Sequence, residues 1–202
     1  LFSALDTPTL KHSQIFPIDS TLLKGTIETD LEVKFPLLKD LEVEDLQVSG
    51  TANLSNVAIR EFNLSPLLPK TDIKDLQGEI IINLDGFYLS GVAIADSMPF
   101  KFSWQENFNP MQAKFTNRID LHARLGEAER KLWKINDDRL RGFTEADVTF
   151  ITDATGVTDG KIIIDALDAY LDLPSLGWNK VPGDPAKAEI GLRLNNGVPF
   201  ED

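Results

Sequence analysis

Apolar and polar residues alternate with period two along most of this chain. In residues 26–35 the apolar positions are Ile27, Leu31, Val33 and Phe35, with Glu28, Asp30, Glu32 and Lys34 between them. Successive side chains on a strand point to opposite faces, so this run predicts a strand with one dry and one wet face. The same template fits Leu46, Val48, Ala52 and Leu54, with Gln47, Ser49, Thr51 and Asn53 opposite. It recurs at Ile80, Ile82 and Leu84, then at Phe100, Phe102 and Trp104 around Lys101 and Ser103. Ile119, Leu121, Ala123 and Leu125 alternate with Arg118, Asp120, His122 and Arg124. Val148 with Phe150, and Ile190 or Leu192 with Leu194, complete the series. Gly, Pro, Asn and Asp punctuate the runs, which predicts roughly eight to ten strands.

Helical period is scarce. The best candidate is 127–137, where Ala128, Leu132 and Ile135 fall at near-helical spacing. Glu127 and Glu129 near its start and Lys131 and Lys134 later suit the helix dipole. One such helix cannot cover a sheet of this size. The expected fold class is therefore all-β, mostly antiparallel and strongly curled, with one short α-helix. Its apolar face must be buried by folding over, closing up, or holding something greasy. The chain reads as a single unit over 1–202, with a possible sub-boundary near 126–142. A weak internal repeat, Val48-Ser49-Gly50-Thr51-Ala52 and Leu89-Ser90-Gly91-Val92-Ala93, suggests bulges or bends at Gly50 and Gly91.

Composition narrows the function classes. The chain has 202 residues and a formal net charge of −12, with 42% hydrophobic residues and no cysteine. That hydrophobic content is too high for a disordered tail. A phosphate backbone attracts basic stripes, so nucleic acid is not the expected partner. Without cysteine there is no disulfide framework, thiol nucleophile or thiolate metal site. No apolar run approaches the roughly 20 residues of a spanning helix. The chain begins at Leu1 and reads as a piece of a longer protein, with any membrane anchor outside it.

Candidate chemistry is thin. His12 lies in the irregular opening segment, and His122 shares a wet strand face with Asp120, Arg118 and Arg124. That pattern fits a solvated cross-strand charge ladder better than a catalytic histidine. Asp153, Gly156 and Asp159 lack calcium-loop spacing and read as a hairpin turn. Asp165, Asp168 and Asp172 fit an exposed edge or turn rather than a metal site. No residue is singled out for catalysis, metal or cofactor binding, and the expectation is a non-enzyme. The aromatics Phe87, Phe100, Phe102, Trp104, Phe115 and Phe150 all fall in the apolar phase. They build either a self-packed sandwich core or a groove lined for acyl chains. The lining candidates are the dry-phase residues named above from Ile27 to Phe35, Leu46, Val48, Ile80, Ile82, Leu84, Phe100, Phe102, Trp104, Phe115, Ile119, Leu121, Val148 and Phe150.

Two stretches carry a family resemblance. In 76–108 a strand reaches Gly86, Ser90-Gly91-Val92-Ala93 follows, and the segment closes on Trp104-Gln105-Glu106-Asn107-Phe108. In 165–190 the order is Leu173-Pro174, Gly177-Trp178, Lys180 and Pro182-Gly183. Both resemble segments of the AsmA-like periplasmic proteins of the YhdP and TamB type, in their DUF3971 domain. The resemblance implies a β-taco-like sheet with an apolar interior, in a protein anchored to the inner membrane of a Gram-negative bacterium. It implies movement of phospholipid towards the outer membrane, with acyl chains sliding along the trough and headgroups in water. Phospholipid and neighbouring segments of the same protein are then the expected partners. No catalytic residue is carried over. The alternative is a self-packed structural or assembly module that binds protein partners through its sheet edges.

Overall fold

In a computed structural model, residues 23–37, 47–62, 70–109, 113–132 and 137–195 are described, with the backbone of Val198–Pro199. The main sheet holds β1 (Leu23–Lys34), β2 (Gln47–Phe62), β3 (Thr71–Ile82), β4 (Gly86–Ala95), β5 (Met98–Asn107) and β6 (Asn117–Leu125). It continues through β8 (Thr144–Thr152), β9 (Val157–Asp165), β12 (Lys187–Asn195) and β13 (Val198–Pro199). These ten strands pair in that order, each antiparallel to the next. The fold is thus mostly antiparallel β, an open meander rather than a closed barrel.

A second, three-stranded sheet joins β7 (Leu140–Gly142), β10 (Ala169–Leu173) and β11 (Trp178–Lys180), with a 3-10 turn at Pro174–Leu176. Its strands come from the β6–β8 and β9–β12 connections. The register sets Leu125 beside Thr144, and Asp165 beside both Glu145 and Lys187, so both connections leave the same end of the main sheet.

The short helix, α1, spans Glu127–Leu132. Gly126 donates its N–H to Glu129 Oε2 at 2.9 Å, one half of a capping box. The expected apolar stripe does not face inward: Ala128 is exposed and Leu132 is 50% exposed. Ile135 lies outside the described residues. The buried position on this helix is Arg130.

Register locks the dry face. One cross-strand row runs Ala52, Ile80, Leu89, Trp104, Ile119, Phe150, Gly160 and Leu192. Its neighbour runs Ile27, Leu54, Gly78, Gly91, Phe102, Leu121, Val148, Ile162 and Ile190. A one-residue slip would turn each strand's apolar set outward, so burial of this face holds the register.

Burial is uneven across it. The buried cluster is Leu54, Val57 and Ile59 on β2, Ile73 and Leu76 on β3, Phe87, Leu89, Ala93 and Ala95 on β4, and Met98. Beyond β5 the side chains of the same rows are only half-buried, around a buried Gly160, and Ile190 is 43% exposed.

No register shift falls at either repeat glycine. Pairing with β1 runs unbroken through Gly50, and pairing with β3 and β5 runs unbroken through Gly91. Their lack of a side chain instead allows close strand contact: a Cβ on Gly91 would lie 2.2 Å from the Gln77 carbonyl oxygen. Register shifts fall between Lys24 and Thr26, within Leu54–Phe62, and between Lys74 and Gln77. Asn56 and Asp75 there have φ of 52° and 50°, left-handed values that Asn and Asp tolerate better than most residues. Such bulges bend and twist the strand that carries them.

Candidate functional site: the half-open apolar face and its polar border

The structure distributes the expected lining residues among three environments. Ile27, Ile80, Ile82, Phe100, Phe102 and Trp104 pack against the buried cluster. Ile119, Leu121, Val148 and Phe150 stand half-buried on β6 and β8, facing the same side. Leu31, Val33 and Phe35, at the end of β1, are 43%, 50% and 53% exposed, with Val48 half-buried opposite Val33. Three expected residues stand outside the strands: Phe35 follows β1, Leu84 lies in the β3–β4 turn and is 57% exposed, and Phe115 precedes β6. Leu46 and His12 lie outside the described residues.

Ile162, Ile164, Ile190 and Leu192 extend the half-open surface over β9 and β12. The unbroken Ile162-Ile163-Ile164 run hides its period-two signal, because Ile163 sits on the wet face in register with Asp147 and Glu189. Phe150 lies over Gly160, where an added Cβ would come within 2.8 Å of its ring.

The next row is polar in its middle and apolar at its ends, where Phe87 and, in register with Thr158, Leu194 are buried. Phe87, Glu106, Asn117, Thr152 and Thr158 pair in sequence across β4 to β9, on the dry face. Glu106 Oε2 accepts from Trp104 Nε1 at 3.1 Å and from Asn117 Nδ2 at 2.7 Å. The Thr152 and Thr158 hydroxyls lie 2.9 Å apart.

Comparison with protein-family models, curated proteins and solved structures finds no match to this chain. The residues themselves must therefore carry the functional argument.

The opposite face is a ladder of ion pairs. His122 Nδ1 lies 2.8 Å from Asp147 and its Nε2 3.4 Å from Glu145, while Arg124 bridges Glu145 and Asp168. Lys161 pairs with Glu189, Lys187 with Asp165 and Arg193 with Asp159. His122 thus sits between two carboxylates of the neighbouring strand β8. An open concavity of about 370 Å³ borders it, lined by Val92, Ile94, Pro99 and Lys101 among others. Asp153 is absorbed in the β8–β9 hairpin turn, where its Oδ1 accepts from Thr155 and Val157.

Arg118 donates to Asp120 at 2.7 Å, and Thr149 donates to the same carboxylate at 2.7 Å. The Arg118 hydrogen bond is the larger cause that holds Asp120 below the usual carboxylate range, with Thr149 adding to it. A depressed folded-state value contributes stability above the unfolded value of about 3.9, lost as pH falls through the folded one. Arg118→Gln is expected to flatten the decline of stability between about pH 5 and about pH 2. Urea titrations across that range check it; an unchanged slope would mean the pair adds nothing.

Two buried cations were not legible as special in the sequence. Arg130 is 2% exposed and Lys180 1%. Arg130 Nη1 donates to the carbonyls of Leu125 at 3.0 Å and Gly142 at 2.9 Å, and Nη2 to that of Leu140 at 2.9 Å. Its buried Nε has no partner among the described residues. Lys180 Nζ donates to the carbonyls of Leu167, Ala169 and Val181 at 3.2, 2.7 and 3.1 Å. Backbone oxygens hold each cation and fasten the small sheet: Arg130 Nη1 and Nη2 join β6 to β7, and Lys180 joins β11 to β10. Both act as structural clamps.

Proposed function

We propose that the chain is a segment of an AsmA-like periplasmic lipid-transfer protein whose apolar face shelters acyl chains. The supporting observation is the pair of apolar rows across β6, β8, β9 and β12, half-buried and bordered by polar residues. Among the described residues, the other elements are α1, the 3-10 turn and three short strands, all in connections that leave one end of the sheet. Apolar burial contributes about 25 cal/mol per Å², and its lack of direction lets a chain slide along the surface. The bulges in β2 and β3 are devices that would curl the sheet towards a taco. In this reading the parent protein is anchored in the inner membrane, and the ion-pair ladder is the solvated outer wall.

Phospholipid should be recovered by native mass spectrometry after incubation of the purified chain with vesicles. Phe150→Glu should cut recovery by about tenfold while far-ultraviolet dichroism stays that of a β-sheet, since a carboxylate strongly disfavours apolar surroundings. A wild-type chain that gains no lipid would sink the proposal. It would favour a self-packed module binding protein partners through its edges, a reading supported by the filled cluster on β2–β5.

A further inference from the structure

We infer that the polar row Glu106, Asn117, Thr152 and Thr158 is a headgroup rim that favours lipids bearing a primary ammonium over anionic lipids. The inference rests on the lipid-sheltering reading and adds the headgroup class. The row lies on the dry face in register, two residues along each strand from Trp104, Ile119, Phe150 and Gly160. Two residues of strand span about 7 Å, so the polar row stands one same-face step beyond the apolar rows.

Chemistry at the rim has a definite sign. Glu106 Oε2 already accepts two hydrogen bonds, from Trp104 and Asn117, which orient the carboxylate. Its Oε1 has no partner among the described residues, and a carboxylate oxygen can only accept. The complementary headgroup therefore brings an N–H or O–H donor, and a charged ammonium forms the stronger bond. The two threonine hydroxyls can each donate or accept, so they suit the phosphate and ester oxygens beside it.

The dry face of these strands offers an anionic headgroup no counter-charge; the nearby cation, exposed Lys114, lies in the β5–β6 connection. On β5, β6, β8, β9 and β12 the residues that share the dry face include no Lys, Arg or His. Arg118, Lys161, Lys187 and Arg193 belong to the opposite face, where each is paired with a carboxylate. The net charge of −12 adds long-range repulsion of anions. A zwitterion with a terminal ammonium, as in phosphatidylethanolamine, meets the carboxylate without that penalty. Phosphatidylglycerol of the same chain length does not.

The test is competitive. The purified chain is incubated with vesicles of equal phosphatidylethanolamine and phosphatidylglycerol with identical acyl chains, and bound lipid is quantified by mass spectrometry. The expected enrichment of phosphatidylethanolamine is about fivefold, what one charge-assisted hydrogen bond at a half-exposed position supplies. In Glu106→Gln the ratio should fall to about one, and in Glu106→Lys it should reverse, because the rim charge changes sign. Lipid bound at parity, or an enrichment untouched by both variants, overturns the headgroup inference and leaves the sheltering proposal standing. Absence of both lipids from the wild-type chain overturns that proposal and this inference with it.

Discussion

Replacing Arg130 with methionine is expected to lower the unfolding free energy by about 3 kcal/mol, although the substitution removes an unpaired buried charge. Two effects oppose one another. Burying a guanidinium without a carboxylate costs several kcal/mol, and methionine removes that cost. Against it stand the carbonyls of Leu125, Leu140 and Gly142, which lose a charged donor at 2.9–3.0 Å. Each such hydrogen bond contributes about 1.5–3 kcal/mol, and the vacated oxygens lie where water enters poorly.

Three bonds outweigh one desolvation, so the loss wins. Methionine roughly preserves the packing of the side-chain stem, which isolates the donor effect from a cavity. Arg130→Lys should recover little, because one ammonium cannot copy the planar fork that reaches β6 and β7 together. Urea unfolding of the three proteins measures this. A methionine variant as stable as the wild type would show that the clamp contributes nothing net.

That clamp also illustrates where sequence reasoning stops. The strands were legible because each buries one face, and period two follows directly from that. Phe100, Phe102 and Trp104 lie where their alternation placed them. Arg130 was not legible, since a cation in the charged run Glu127-Ala128-Glu129-Arg130-Lys131 reads as solvated. Its burial depends on three backbone oxygens that the end of β6 and the strand β7 bring together.

The bulges left a trace that simple alternation overlooks. Apolar positions run Ala52, Leu54 and then Val57, Ile59, a slip from even to odd numbers. Ile73, Leu76 and Ile80 slip likewise, and both slips coincide with register shifts. An inserted residue must move the phase by one if the same face is to stay dry. Glu106 had a similar trace: carrying the phase of Phe102 and Trp104 two residues further puts it on the dry side. The surface proposed to shelter lipid was therefore half visible as a list of apolar positions. The division of that list into filled and open parts needed the three-dimensional packing.

The same division sets the last expected result, a difference between two phenylalanines of the same dry face. Phe87→Ala should cost about 3–5 kcal/mol of unfolding free energy, as deletion of a fully buried aromatic ring does. Phe87 is 3% exposed, lies edge-on to Trp104 with ring centroids 5.3 Å apart, and belongs to the buried cluster. Its loss leaves a cavity between strands that cannot collapse without breaking their register. Phe150 is half-buried on β8 and rests on Gly160, so truncation removes less apolar burial and opens no closed cavity. Phe150→Ala should cost about 1–2 kcal/mol on that account. Urea unfolding of the lipid-free proteins is the measurement, because a ligand bound to the native state would add its own stabilisation and mask the contrast. Equal losses would mean that protein fills the dry face across its whole width, which removes the space for an acyl chain and favours the self-packed module. A loss at Phe150 well below that at Phe87 leaves an apolar surface on β6 to β12 that the fold can spare, as a surface that receives and releases lipid must be.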